Sequence, residues 1–174
     1  LDWGFVEEGR RLADFGLLAL DMDSTLITVE CIDEIADFAG RKAEVAAVTA
    51  SAMRGEIDWA QSLRSRVAAL AGLEETVLER VYRERLRLTS GAEPLLAAAR
   101  AAGLATLLVS GGFTYFTDRL GARLGFTETH GNELVIEGGR LAGRVTGPLV
   151  DADWKAGHVA RLRDALGLAR ERVL

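Results

Sequence analysis

Cysteine is almost missing from this sequence. Cys31 stands alone among 174 residues, so no internal disulfide can form. A single thiol fits a reducing compartment, and the expected location is the cytoplasm. Histidine is nearly as scarce. His130 and His158 are the only two; with Cys31 they show no spacing typical of zinc ligands, and both read as structural. A basic excess is also missing. The 21 Lys and Arg face 26 Asp and Glu, for a net charge of -5, which favours neither nucleic acid nor an anionic membrane as partner. Long apolar runs are absent: Leu104–Val109 falls far short of the ~20 residues of a membrane span. The first residues, Leu1-Asp2-Trp3, lack the basic-then-apolar layout of a signal peptide.

What remains is an ordinary globular composition, 49% hydrophobic and 27% charged, with mean hydropathy +0.12. The length suffices for one core and a modest insertion. The stretch that organises the chain is Leu17-Leu18-Ala19-Leu20-Asp21-Met22-Asp23-Ser24-Thr25. A short apolar run bounded by turn residues reads as a buried strand. Asp21 then falls at its C-terminal end, where open α/β sheets bind ligands. If the extended geometry lasts one more residue, Asp21 and Asp23 share a face. Two such carboxylates invite a hard cation, and Mg²⁺ fits. One can attack while the other handles protons. Asp-x-Asp-Ser-Thr is equally good turn and helix-cap chemistry, so the diacid alone leaves both readings open.

Residues 2–13 read as a helix. After Thr25 the spacing becomes helical four times. Ile32, Ile35, Ala36 and Ala39 form one face, closed by Gly40. Val45, Val48, Thr49 and Ala52 form the next, closed by Gly55. Trp59, Leu63, Val67 and Leu70 end at Gly72, and a fourth helix is expected over 74–88. Pro94 suits the first turn of a helix ending near Gly103. Ala105 to Val109 reads as a strand, Ser110-Gly111-Gly112 as a tight loop, and Phe113, Phe116, Leu120 and Leu124 as the next helix. Alternation around Gly138-Gly139 predicts a β-hairpin over 132–145. Asp153 is the expected N-cap of a last helix, and Arg172-Val173-Leu174 resembles the start of a strand. No internal repeat is evident. Strand–helix alternation implies an α/β fold with a parallel sheet.

Ser110-Gly111-Gly112 follows a strand and precedes a helix, so its backbone N–H groups can face an anion at the same sheet end as Asp21. Most such triplets are simple turns. Lys155 could supply cationic charge to a phosphoryl group or be a solvated surface lysine. Arg66 could grip a carboxylate, and Glu30 could receive an ammonium; either could equally be surface charge.

Taken together, these residues resemble the phosphoserine phosphatases of the haloacid dehalogenase-like superfamily. Asp21-Met22-Asp23-Ser24-Thr25 matches the family's Asp-x-Asp-x-Thr motif, Val109-Ser110-Gly111-Gly112-Phe113 its second motif, and Lys155 within Asp153–Gly157 its third. Val29–Ala36, Ala52-Met53-Arg54-Gly55 and Gln61–Val67 point to the phosphoserine subfamily. The resemblance implies a Rossmann-like core, 17–28 and 90–174, with a four-helix cap over 29–89 and a linker over 1–16. It implies Mg²⁺-dependent hydrolysis of O-phospho-L-serine, the last step of serine biosynthesis. Asp21 would be the nucleophile and Asp23 the acid/base. Both would hold Mg²⁺, Asp23 through its backbone carbonyl. Ser110, Gly111 and Lys155 would hold the phosphoryl group. Glu30 would meet the ammonium and Arg66 the carboxylate, with Met53 and Trp59 lining the pocket. The family's Gly-Asp-Gly loop has no counterpart here, so a further Asp ligand is expected beyond Leu174, and sequence is expected at both ends. Asp151 and Asp153 are poor substitutes for it. A homodimer is compatible with the resemblance. Phosphoryl transfer to another alcohol such as homoserine, or binding without turnover, are the alternatives. A receiver-type signalling domain fits the long insertion poorly.

Overall fold

Period-two burial lays down the sheet. In strand β1, Leu17–Leu20, Leu17 and Ala19 pack on one face and Leu18 and Leu20 on the other. The computed structural model describes residues 8–174. β2, Ala105–Phe113, is parallel to β1 with Leu17 opposite Ala105, and β3, Glu128–Glu137, is parallel to β2 with Leu107 opposite Glu128. β4, Arg140–Thr146, is antiparallel to β3, giving the sheet order β1-β2-β3-β4. Of the expected C-terminal strand the structure shows a single bridge: Val173 bridges Leu17 in parallel, and the Leu174 N–H donates to the Leu17 carbonyl at 2.9 Å. The α/β, mostly parallel arrangement is therefore as the alternation implied.

Four helices intervene between β1 and the next core helix: α1, Cys31–Phe38; α2, Lys42–Met53; α3, Trp59–Ala68; and α4, Thr76–Arg80. Ile32, Ile35, Val45, Leu63, Val67, Leu70 and Leu78 bury one continuous core with Leu18, Met22 and Leu108 of the sheet side. Each fully buried aliphatic side chain contributes about 1.5–3 kcal/mol, so the insertion is held mainly by this shared core. Core helices α5, Ala92–Ala101, and α6, Thr114–Leu124, pack on the same side. A smaller cluster of Leu17, Leu107, Val109, Val150 and Leu162 covers the other face under α7, Ala152–Ala165.

Four local expectations need correction. The fourth inserted helix does not reach Leu88. It widens over Val81–Arg85, Leu86 turns extended, and Leu88 pairs antiparallel with Ile27. There the returning chain bonds the outgoing one (Thr28 N–H to the Arg87 carbonyl, 3.0 Å; Thr89 N–H to the Leu26 carbonyl, 2.9 Å), and these bonds replace helical ones. Ser110-Gly111-Gly112 is not a loop, because β2 continues to Phe113 with a register shift after Val109. Asp151, not Asp153, caps α7, its Oδ1 accepting the Trp154 N–H at 2.8 Å. Of the helix expected over 2–13, the first half lies outside the described residues, and the described half is a turn at Glu8–Gly9 and a single 3-10 turn at Leu12–Asp14 rather than a continuous helix.

The hairpin of β3 and β4 turns at Gly138 and Gly139, both at positive φ as a tight two-residue turn requires. Its end is bound to the α3–α4 connection. Gly72 N–H donates to the Leu141 carbonyl (2.9 Å), Leu141 N–H to the Leu73 carbonyl (2.8 Å), and Glu75 N–H to the Gly139 carbonyl (2.9 Å).

Candidate active site

β1 ends at Asp21, which breaks from the strand by folding its own side chain onto the chain. Its Oδ1 accepts the Met22 N–H at 2.7 Å. Its Oδ2 meets Lys155 Nζ at 2.6 Å, although the two residues are 134 positions apart. Lys155 lies in the first turns of α7, aimed there by the Asp151 cap. A short charge-assisted contact of this kind is strong and directional.

Asp23 follows in an extended conformation, and Ser24 then adopts φ +54°, the left-handed region that non-glycine residues avoid. That reversal returns the chain to α1. The Asp23 Oδ1 accepts the Cys31 N–H, the first of the helix, at 3.1 Å, and Ser24 Oγ donates to Glu30 Oε1 at 2.6 Å. Burial pushes the Asp23 carboxyl up to about 6. The Cys31 hydrogen bonds oppose that shift, while the charges of Glu30 and Asp21 add to it. A carboxyl poised there can both give and take a proton near neutrality.

Ser110 is almost wholly buried, and its Oγ accepts the Gly112 N–H at 2.9 Å, which leaves the hydroxyl proton free to point at an anion. Gly112 has a steric reason to be glycine. A Cβ there would lie 2.5 Å from Asp23 Oδ2 and 2.7 Å from Met22 Cε. At Gly111 a Cβ would lie 3.0 Å from the Trp59 ring, so the inserted helix α3 closes directly over the glycine pair.

These groups line one cavity of about 480 Å³, with Asp21, Asp23, Glu30, Trp59, Arg66, Ser110, Gly111 and Lys155 all in its wall. Arg66 reaches it from α3, and its buried Nε has no hydrogen-bond partner among the described residues. A buried cationic donor left unpaired is costly and is best explained by an anionic ligand. Met53 is the exception among the expected residues. It ends α2, is 85% exposed and does not line the cavity. The turn that follows it, Arg54–Asp58, is mostly exposed as well.

Asn132 is a buried residue beside the site that reading the sequence missed. It is 1% exposed, donates through Nδ2 to the Gly111 carbonyl at 2.8 Å and accepts the Val150 N–H through Oδ1 at 3.0 Å. One side chain thus ties the glycine pair to the segment leading into α7 and Lys155. Its only sequence signal was its place at the start of the predicted hairpin. Ile32, Leu63, Phe113 and Val150 supply an apolar wall that motif spacing also left unmarked.

The donor set suits a hard cation in kind. Mg²⁺ binds through one or two carboxylates and completes its shell with phosphate and water. Asp21 and Asp23 both line the cavity, which gives it oxygen donors of the kind such an ion takes. Asp151 and Asp153 also line the cavity, but among the described residues no three-ligand cluster unites them with Asp21 and Asp23.

A family model described as haloacid dehalogenase-like hydrolase matches residues 18–174. A phosphoserine phosphatase of Albidiferax ferrireducens is 57% identical over 145 residues, covering 83% of this chain and 60% of the relative. One from Archaeoglobus fulgidus is 48% identical, covering 91% and 46%. Among solved structures, a probable phosphoserine phosphatase from Vibrio cholerae matches with TM-score 0.82 and 43% identity over 93% of this chain and 50% of that one. A substrate-bound phosphoserine phosphatase complex matches with TM-score 0.84 and 32% identity, covering 91% and 75%. The chain thus spans 60% and 46% of these two sequence relatives' lengths.

Proposed function

The chain belongs to the haloacid dehalogenase-like hydrolase family, and from that premise we propose that it carries the site of a phosphoserine phosphatase. The substrate is O-phospho-L-serine, the products are L-serine and phosphate, and the setting is the cytoplasmic end of serine biosynthesis. The observation that carries the reading is the Lys155–Asp21 contact at 2.6 Å. It joins two motifs from opposite ends of the chain beside Asp23 and Ser110.

In this reading α1–α4, within residues 29–89, form a cap over a core of residues 17–28 and 90–174. Arg66 takes the substrate carboxylate with its unpaired guanidinium edge, and Glu30, held by Ser24, takes the ammonium. Lys155, the Ser110 hydroxyl and the Gly111 N–H hold the phosphoryl oxygens. The Asp21 carboxylate attacks phosphorus while the Asp23 carboxyl protonates the departing seryl oxygen, leaving an aspartyl-phosphate. Asp23, now ionised, takes a proton from water as that water attacks the phosphorus, and Asp21 is released. Splitting hydrolysis this way replaces one hard step with two easier ones. Asp21 and the Asp23 backbone carbonyl would hold Mg²⁺, which when bound neutralises phosphoryl charge. A further carboxylate ligand is expected from sequence after Leu174.

The test is Mg²⁺-dependent phosphate release from O-phospho-L-serine, by this chain and by a form extended past Leu174. Release by either one, abolished by Asp21→Asn, is expected. Arg66→Ala should then lower kcat/KM for phosphoserine by on the order of 100-fold, the worth of a lost charge-assisted pair, and barely change it for an aryl phosphate. Equal losses on both substrates would remove the carboxylate clamp. No release from phosphoserine by either form would overturn the substrate.

A further inference from the structure

Outside the pocket, the described residues contain one cluster of side chains with converging ligand atoms. Glu128 and His130 alternate on the first half of β3 and so share a face. His158 comes from α7, and its ring faces that of His130. The Glu128 Oε2 lies 3.3 Å from His130 Nε2 and 3.3 Å from His158 Nε2, and one ligand atom from each residue falls within 4.8 Å of the others. By spacing alone these histidines read as structural, because a strand and a helix far apart in sequence supply them.

We propose that Glu128, His130 and His158 form a second metal site, specific for a borderline transition ion of the Zn²⁺ class. Two imidazole nitrogens and one carboxylate oxygen suit Zn²⁺ and Co²⁺, whereas Mg²⁺ prefers oxygen alone. Three protein ligands leave an open position for water. Both His–Glu separations exceed the ~2.7–2.9 Å of a tight charge-assisted bond, so Glu128 is not committed to either ring. The rings are held in place without metal. His158 stacks on Trp154 at 4.6 Å between centroids with planes 10° apart, and the two imidazoles lie 3.9 Å apart. Such packing pre-orients ligands.

The competitor for this site is also in place. Arg161 puts a guanidinium nitrogen 2.7 Å from His158 Nε2 and 3.2 Å from Glu128 Oε2. A metal ion must displace it, and its half-exposed side chain can swing into water. None of its three residues lines the cavity that holds Asp21 and Asp23, and the site does not depend on phosphoserine as substrate. Trp154 precedes Lys155, so an ion here would pin the first turns of α7 to β3.

The experiment is a Co²⁺ titration of the tag-free chain in excess Mg²⁺, which fills the oxygen-donor site, read by visible ligand-field absorption. One saturable equivalent, displaced by Zn²⁺, is expected. His130→Gln, a change at a partly exposed position, should abolish the band while circular dichroism stays that of the wild type. Arg161→Ala should tighten binding up to about 5-fold, the effect of removing one exposed charged competitor. A missing band, or one unchanged in His130→Gln, would overturn the site. A weaker or unaltered affinity in Arg161→Ala would overturn the displacement of the guanidinium.

Discussion

Asp23 is where folding and chemistry oppose each other most directly. Its folded-state pKa is raised from 3.8 to about 6, first by burial. Between those values the folded chain binds more protons than the unfolded one, so stability falls as pH rises through that window. Above it, the ionised carboxyl costs about 3 kcal/mol, at ~1.4 kcal/mol per tenfold change in proton affinity. Asp23→Asn, assayed without Mg²⁺, should therefore melt several degrees higher than the wild type near pH 7.5, with the gap closing near pH 4, while phosphatase activity is lost. A lower melting temperature at neutral pH would contradict the desolvation argument. Gly112 makes a complementary case. A methyl group there would occupy space 2.5 Å from the Asp23 oxygen, so Gly112→Ala should lower kcat on the order of 100-fold by misplacing that carboxyl. Circular dichroism should show the fold intact; unchanged kcat would mean that Asp23 tolerates displacement. That Asp21, Asp23, Ser110 and Lys155 meet in one cavity was legible in sequence because each sits in a short motif near a strand end or a helix start. The exposure of Met53 was not, since spacing fixes a helical face but not the depth to which the helix is buried.

At the scale of elements, helix ends were legible wherever glycine supplied a left-handed residue, as at Gly40, Gly103 and Gly125. The start of α7 was not. Asp151 and Asp153 are both good caps, and the choice falls to Asp151 because Val150 before it is buried and bonded to Asn132. Likewise the β2 strand runs on through Ser110-Gly111-Gly112 because β3 provides a partner at Asn132, a tertiary fact with no local signature. Asn132→Asp tests that bracing. Aspartate keeps the shape and the acceptor for the Val150 N–H but loses the donor to the Gly111 carbonyl, placing an oxygen against an oxygen in a dry site. A loss of about 2–4 kcal/mol in urea unfolding is expected, since a buried unpaired charge and carbonyl result. Below the melting range, kcat should fall more than KM rises, because the glycine pair and the Lys155 segment lose their common brace. A variant with normal kcat would make Asn132 a stability residue only.

At the scale of the whole molecule, the helical insertion has two backbone attachments to the core, besides the buried side chains it shares with it. One is the neck, where Ile27 bridges Leu88 and the two crossing strands exchange backbone bonds. The other is the β3–β4 hairpin, bonded through its backbone to Gly72, Leu73 and Glu75, with Arg140 adding bonds to the Gly72 carbonyl (2.7 Å) and Glu74 (3.2 Å). The second attachment constrains any opening over the pocket. Beyond Asn132 the hairpin has left the parallel sheet; its strands pair with each other and with the α3–α4 connection, so it can travel with the insertion. If opening works this way, the neck is the hinge and the hairpin bonds persist. Amide hydrogen exchange separates the cases. Adding Mg²⁺ and inorganic phosphate should slow exchange at Thr28 and Thr89 in the neck and leave Gly72, Glu75 and Leu141 equally protected throughout. Arg140→Ala should speed exchange at those three amides together by roughly 3–10-fold, the effect of about 1 kcal/mol from exposed bonds, with β2 unaffected. Loss of hairpin protection whenever ligand is removed would show instead that the insertion opens by parting from the hairpin, and would move the hinge away from the neck.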